Sequence, residues 1–361
     1  MSPTRLPGAA TTGPAANRGP QHPRSLSRRG VLAGAGALAV TAPLTACGSD
    51  EDEGSSDGKG EQTGGAWQFK DDRGRLVRLP ERPENLVAFI STAAALYDYG
   101  IECKGVFGPS SPVRGKPNPQ AGRLPMEKLT SLGESYGQFN VEKYAALRPN
   151  LLISNMFPPP DLWFVPEESR EKIESLAKTV GISVARTSLP QPLRRTAELA
   201  ESLGADLSAP DVTRAKADFE KAAEAVRTAA RDNGGLKVLA MTGDDEQMYV
   251  AVPDSYCDLR YFKELGVEFV EGRKSDEWGF WEFLSWENAD KYHADLIIID
   301  NRSTAQSPQD LRRHPTWREL PAVKARQTVP WAMEERYSYL GYTPVLQSLA
   351  EALRNARRLK A

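Results

Sequence analysis

Two stretches of this chain follow one plan: FNVEKYAALRPNLLISN (residues 139–155) and LSWENADKYHADLIIIDNR (residues 284–302). Each opens on a polar residue suited to capping a helix, Asn140 or Ser285, and places a Glu two positions later. Each then runs through a short helical segment into a continuous apolar run. A run without alternation suits a strand buried on both faces, as in parallel sheets. A repeat of this kind constrains the chain to two similarly built α/β halves.

The remaining segments keep to that plan. WQFKDDRGRLVRLP (67–80) reads as a hairpin turning at DDRG. NLVAFI predicts a buried strand, TAAALYDYG a short helix, and ESLAKTVGISVARTS a helix followed by a strand. In the second half, KVLAMTG and QMYVAVP predict strands, SYCDLRYFKELG a helix and VEFVEG a strand, and the chain closes on a long helix. The expected fold class is α/β, with two lobes built on mainly parallel central sheets and joined by a single spine helix. That spine is expected at 190–204, where Pro192 suits a first turn, Gly204 suits a stop, and Leu193, Ala197, Ala200 and Leu203 share one face. About 13 residues at 1.5 Å each make a rod of roughly 20 Å. The lobes are then 67–189 and 205–361, with a second helix near 211–231 opening the latter.

The segment ahead of the lobes has a different character. Arg28 and Arg29 precede an apolar run over 31–44, which ends at Leu44-Thr45-Ala46-Cys47. A run of about 14 residues is shorter than the roughly 20 that span a bilayer. A charged segment, a short apolar segment and a small-residue cleavage site define an export signal. The arginine pair resembles the twin-arginine type, and the four residues ending in Cys47 resemble a bacterial lipobox. The expectation is a signal over 1–46, then a lipid anchor on Cys47 and a flexible, acidic, Gly/Ser-rich tether over 47–66. The formal net charge of −2 includes five arginines before Cys47 and no acid there, so removing the signal lowers it by five, to −7. An acidic chain of this kind argues against a nucleic-acid partner. Of 3 cysteines, Cys103 and Cys257 remain, in different halves, and are expected as free thiols.

The order of these segments, from DDRGRLVRLPERPENLVAF through FNVEKYAALRPNLLIS and YVAVPDSYCDLRYFKELGVEF to VPWAMEERYSYLGYTPVLQSLAEAL, resembles the class III solute-binding proteins of ABC importers. That group handles ferric siderophores, haem and cobalamin. The resemblance implies two lobes facing across a shallow cleft, and a Glu on each lobe that meets arginines of the permease. The matching positions are Glu142 and Glu287; carboxylates at a helix N-terminus are also favoured by the dipole alone, by about 0.3–1 kcal/mol. The ligand-facing positions it implies are Tyr136 on one lobe and Trp281, with Trp278 as its rival, on the other. To these are added Phe157 and Trp163 in the loop NMFPPPDLWFVP, Arg302, and Arg336, Tyr337 and Tyr339 in the last loop.

Aromatic walls and one or two arginines suit a bulky shell around a caged metal, which offers flat apolar faces and a few oxygens. The expected ligand is a ferric siderophore, with the hydroxamate type favoured because the sequence shows no convergence of several arginines for a tris-catecholate. A haem, with Tyr337 or Tyr256 as axial ligand, or a cobalamin is the alternative. An exported enzyme is the rival from another class. Of 3 histidines, His22 leaves with the signal, and His293 and His314 have no partner at metal-ligand spacing. No CxxC pair is present. The expectation is therefore a monomer without enzymatic activity, cofactor or resident metal, tethered to the outer face of the cytoplasmic membrane and partnered by an ABC permease.

Overall fold

The computed structural model describes residues 65–360, apart from 114, 116, 274 and 275. The expected signal and Cys47 lie outside the described residues, as does the tether up to residue 64. The fold opens with strands β1 (Trp67–Lys70) and β2 (Leu76–Leu79), an antiparallel hairpin as expected. Asp71 organises its turn: Oδ1 accepts from the backbone N–H of Arg73 and of Arg75, and Gly74 takes a positive φ of 78° that a side chain would resist.

The first sheet contains β3 (Leu86–Phe89), β4 (Gly105–Phe107), β5 (Thr130–Ser131), β6 (Leu151–Met156) and β7 (Lys178–Ser183). Every pairing is parallel, in the order β5-β4-β3-β6-β7. The crossovers carry helices α1 (Ile90–Asp98), α2 (Val141–Ala146) and α3 (Arg170–Leu176). After β7 come α4 (Pro190–Ser202) and the longer α5 (Pro210–Asp232).

The second sheet contains β8 (Lys237–Gly243), β9 (Gln247–Ala251), β10 (Glu268–Phe269), β11 (Trp281–Ser285), β12 (Leu296–Asp300) and β13 (Thr328–Trp331), with α6 (Cys257–Glu264) between β9 and β10. Short helices α7 (Pro308–Leu311), α8 (Pro315–Glu319) and α9 (Pro321–Lys324) lie between β12 and β13, and α10 (Tyr339–Asn355) follows. The order is β11-β9-β8-β12-β13, with β10 also on β8. Here the repeat becomes visible in space. In each lobe the strand that follows the Glu-bearing turn, β6 or β12, lies parallel between the opening strand and the next crossover strand. The lobes differ on the other flank, where β4 and β5 run parallel but β9 and β11 run antiparallel.

The two connecting helices divide their work differently from the expectation. α4 packs on β1, β7 and α1, all first-lobe elements. Its apolar face, with Leu193, Leu199 and Ala200, is buried there, Arg195 reaches Asp72 at 2.6 Å, and the Trp67 indole donates to Ser202 O at 3.0 Å. α5 is the rod that meets both lobes. Its first turns share a pocket of about 390 Å³ with Asp98 and Arg123 of the first lobe, while its last half packs along α10 and reaches Gly266. At 1.5 Å per residue the 13 residues of α4 extend about 20 Å and the 23 residues of α5 about 35 Å.

Candidate functional site

The parallel strands of both sheets end towards a common seam, the place where crossover folds gather loops that bind ligands. From the first lobe, the chain leaving β6 turns through Phe157 to Trp163. This loop is pinned back onto the strand, with Trp163 N–H donating to Asn155 O at 2.8 Å and Ser154 Oγ donating to Trp163 O at 2.8 Å. The pinned loop presents its rings in one place. Trp163 lies 5.4 Å from Tyr136 and 5.6 Å from Phe157, centroid to centroid, and Tyr136 is 53% exposed.

From the second lobe, Phe280 packs against Phe157 at a tilt of 33° with centroids 4.5 Å apart, so the rings meet across the seam. Tyr256 then touches Phe280 (5.3 Å), Trp281 (5.4 Å) and Trp331 (5.1 Å). The result is an aromatic ladder from Tyr136 to Trp331. Tilted and edge-on pairs of this kind contribute about 0.5–1.5 kcal/mol each beyond area burial. Asp258 fixes its far end by accepting from Trp331 Nε1 at 2.7 Å. Burial, opposed by that hydrogen bond, pushes the Asp258 carboxyl up to about 7. Trp278 stands 48% exposed at the rim, its carbonyl accepting from Arg186 Nη2 at 2.6 Å.

The polar floor centres on Arg302, whose side chain keeps 21% of its surface exposed. Nε reaches both oxygens of Asp300 (3.1 and 3.0 Å), Nη2 reaches Asp300 Oδ2 (2.8 Å), and Nη1 reaches Glu334 Oε1 (2.5 Å). Burial works against the guanidinium charge, but Asp300 and Glu334 outweigh it and hold its pKa above the usual arginine value.

The last loop corrects three expectations. Arg336 faces away from the rings: its Nε pairs with Asp98 Oδ2 at 2.7 Å and its Nη1 with Glu335 at 2.7 Å. Ser338 Oγ and Arg123 Nη2 also donate to Asp98, at 2.6 and 3.0 Å, so one first-lobe carboxylate clamps the second lobe. Tyr337 is 3% exposed, packed on Tyr342, so it belongs to the core. Tyr339 leans on Phe219 of α5 and lines the pocket beside Asp98. The chain turns after β13, with Glu335 N–H donating to Ala332 O at 3.3 Å, and it is Glu334 rather than Arg336 that reaches Arg302 and Trp163. Sequence reasoning missed Phe280 and Trp331 as ladder members, and Glu334 and Gln120 as floor residues. Position at a strand end was the available signal for Trp331; nothing in the sequence marks Gln120.

Glu142 and Glu287 are both exposed at the second position of a helical turn. Asn140 caps α2 by accepting from Lys143 N–H at 2.8 Å. Glu287 sits on a 3₁₀ turn (Trp286–Asn288), where its own backbone N–H and the Ser285 hydroxyl hold its carboxyl below the usual range. Cys103 and Cys257 are free and buried. Among the described residues no group of three or more His, Cys, Asp or Glu could hold a metal ion, and no helix is long and apolar enough to cross a membrane.

Two α/β lobes, with the crossover strands of each ending at a shared ring-lined seam, are the class III solute-binding fold. Residues 108–332 match the periplasmic binding protein family, and the chain belongs to it. The solved structure of DesE, a ferric-siderophore receptor protein from Streptomyces coelicolor, is 49% identical, with a TM-score of 0.79, covering 81% of this chain and 100% of that one. FeuA of Bacillus subtilis, the triscatecholate siderophore-binding protein solved with ferri-bacillibactin, is 16% identical with a TM-score of 0.59, over 79% of this chain and 97% of that one. At that distance the likeness shows the fold alone. The iron-uptake system-binding protein of Bacillus subtilis (strain 168) is 22% identical over 213 residues, or 56% of this chain and 63% of that relative, less than two thirds of its length.

Proposed function

We propose that this protein captures a ferric siderophore, with the hydroxamate type favoured, between its lobes and delivers it to an ABC permease. The aromatic ladder that crosses from Tyr136 to Trp331 carries the reading. Flat rings on both walls supply contact area at low entropic cost for a rigid, largely apolar chelate. The 49% identity to a ferric-siderophore receptor over that receptor's whole length supports the same ligand class. Tyr136, Phe157, Trp163, Trp278 and Trp281 are the proposed ligand contacts, with Arg302 on the floor. Haem and cobalamin are less favoured. Tyr256 and Tyr337, the tyrosines suited to an axial role, are 1% and 3% exposed, and burial raises the pKa of both well above that of a free phenol. A binding role rather than a catalytic one accords with the family.

The same proposal assigns 67–189 to the first lobe and 205–361 to the second, with α5 in place of α4 as the spine. It places Glu142 and Glu287 at the permease contact, where charge complementarity fixes register and encounter rate. The export signal over 1–46 and the lipid on Cys47 would hold the protein at the outer face of the cytoplasmic membrane. The test is a tryptophan-fluorescence titration of the purified protein with ferric hydroxamates, ferric catecholates, haem and cobalamin. Saturable quenching by a ferric siderophore at micromolar concentration is expected. Folded protein that none of the siderophores quenches would refute the reading.

A further inference from the structure

Glu334 lies where the two lobes and the cleft floor meet. Its Oε2 accepts from Gln120 Nε2 at 2.9 Å and from Trp163 Nε1 at 3.3 Å, both on the first lobe. Its Oε1 accepts from Arg302 of the second lobe. Arg302 is already forked onto Asp300. One guanidinium therefore faces two carboxylates, and this part of the floor carries one negative charge in excess. Arg186, another arginine beside the cleft, is bonded to Trp278 O and lies over the Phe280 ring at 5.6 Å. Gln120, whose Nε2 meets Glu334, also carries an Oε1 atom that is buried and lacks a hydrogen-bond partner among the described residues.

We propose that Glu334 sets the charge preference of the cleft, admitting ferric complexes that are cationic or neutral and rejecting polyanionic ones. The inference rests on the siderophore reading and deepens it. An unoccupied arginine would offer five donors to catecholate oxygens. Here Asp300 and Glu334 already take three of those donors, and an anion using the remaining N–H groups must stay close to two carboxylates in a poorly solvated floor. A ligand arm that ends in an ammonium meets the opposite situation, a floor with a carboxylate charge in excess. Glu334 also occupies the indole N–H of Trp163, so the carboxylate orients one of the rings that contact the ligand.

Three ferric complexes separate charge from shape: a tris-hydroxamate with a free ammonium arm (net +1), the same compound N-acetylated (net 0), and a tris-catecholate (net −3). A unit charge about 7 Å from the ligand, at an effective dielectric near 20 and discounted for partial exposure, shifts affinity by about tenfold per ligand charge. The wild-type protein should bind the first two and bind the third at least about 100-fold more weakly. Glu334→Gln, which keeps an acceptor for Trp163, should weaken the +1 complex about tenfold, leave the neutral one within about threefold, and tighten the −3 complex by about 1,000-fold. Equal changes in all three, or none, would overturn the charge role and leave Glu334 a structural group. If the variant does not fold, the wild-type series decides alone: a −3 complex bound as tightly as the +1 complex overturns the inference. Failure of every hydroxamate to bind folded wild-type protein would instead overturn the siderophore reading, and this inference with it.

Discussion

The Asp98 clamp allows a magnitude to be worked from geometry. The Asp98 side chain is 2% exposed and accepts from Arg336 Nε, Ser338 Oγ and Arg123 Nη2. Asp98→Ala removes the acceptor and leaves Arg336, itself 13% exposed, with Glu335 as its remaining partner among the described residues. Removing one member of a buried ion pair costs about 3–5 kcal/mol when the other is left uncompensated. Glu335 compensates in part, and the exposed Arg123 loses little. The expected destabilisation is therefore about 2–4 kcal/mol, measured as the shift in urea midpoint multiplied by m. Ser338→Ala, which removes one neutral donor to the same carboxylate, should cost only about 1–2 kcal/mol. Because the clamp joins α1 to the approach to α10, hydrogen exchange should rise in both segments together. A loss below about 1 kcal/mol in Asp98→Ala, with exchange unchanged, would refute the claim that this contact holds the lobes in register.

Other outcomes follow from the same geometry. Asp258 has a folded pKa of about 7, above its unfolded value, so the folded state binds the extra proton between about pH 4 and 7. Its contribution is fully present below the unfolded pKa and is lost as pH rises towards the folded one. Asp258→Asn, which keeps an acceptor for Trp331, should be more stable than wild type at pH 8 by a few kcal/mol, with the advantage shrinking to about zero near pH 4; a pH-independent difference would sink this account. Glu142→Lys combined with Glu287→Lys should abolish transport in cells and leave ligand affinity within a few-fold, whereas collapse of affinity would assign those carboxylates to the cleft or the fold. Trp281→Ala should weaken binding by about 1–3 kcal/mol in a calorimetric titration, and unchanged binding would pass the role to Trp278 or Trp163.

The sheets were legible in the sequence because their signal is local. Unbroken apolar runs such as LLISNM and LIIID need burial on both faces, and the Glu-led turns ahead of them mark where each crossover returns. The spine is hard to place from sequence because α4 and α5 are both amphipathic with Pro in the first turn. Periodicity reports a buried face, not what that face lies against. The cleft divides along the same line. Phe157, Trp163 and Trp281 stand out in the sequence as rings set among Pro, Gly and charged residues, and in the structure they fall on the same run of ring contacts. Arg336, Tyr337 and Tyr339 lie away from that run, because residue type does not reveal which way a loop points. Phe280 and Trp331 reach the ladder through contacts between residues far apart in sequence, such as Phe157 with Phe280 and Tyr256 with Trp331, which local pattern does not reveal.

The central claim concerns where the chelate sits, and iron provides its own label. An anomalous difference map collected at the iron edge, from crystals grown with a ferric tris-hydroxamate, should place a single strong peak between the Trp163 and Trp281 rings, above Arg302. A peak in the pocket behind Asp98 or on the outer face of either lobe, with the ring ladder unoccupied, would contradict the account.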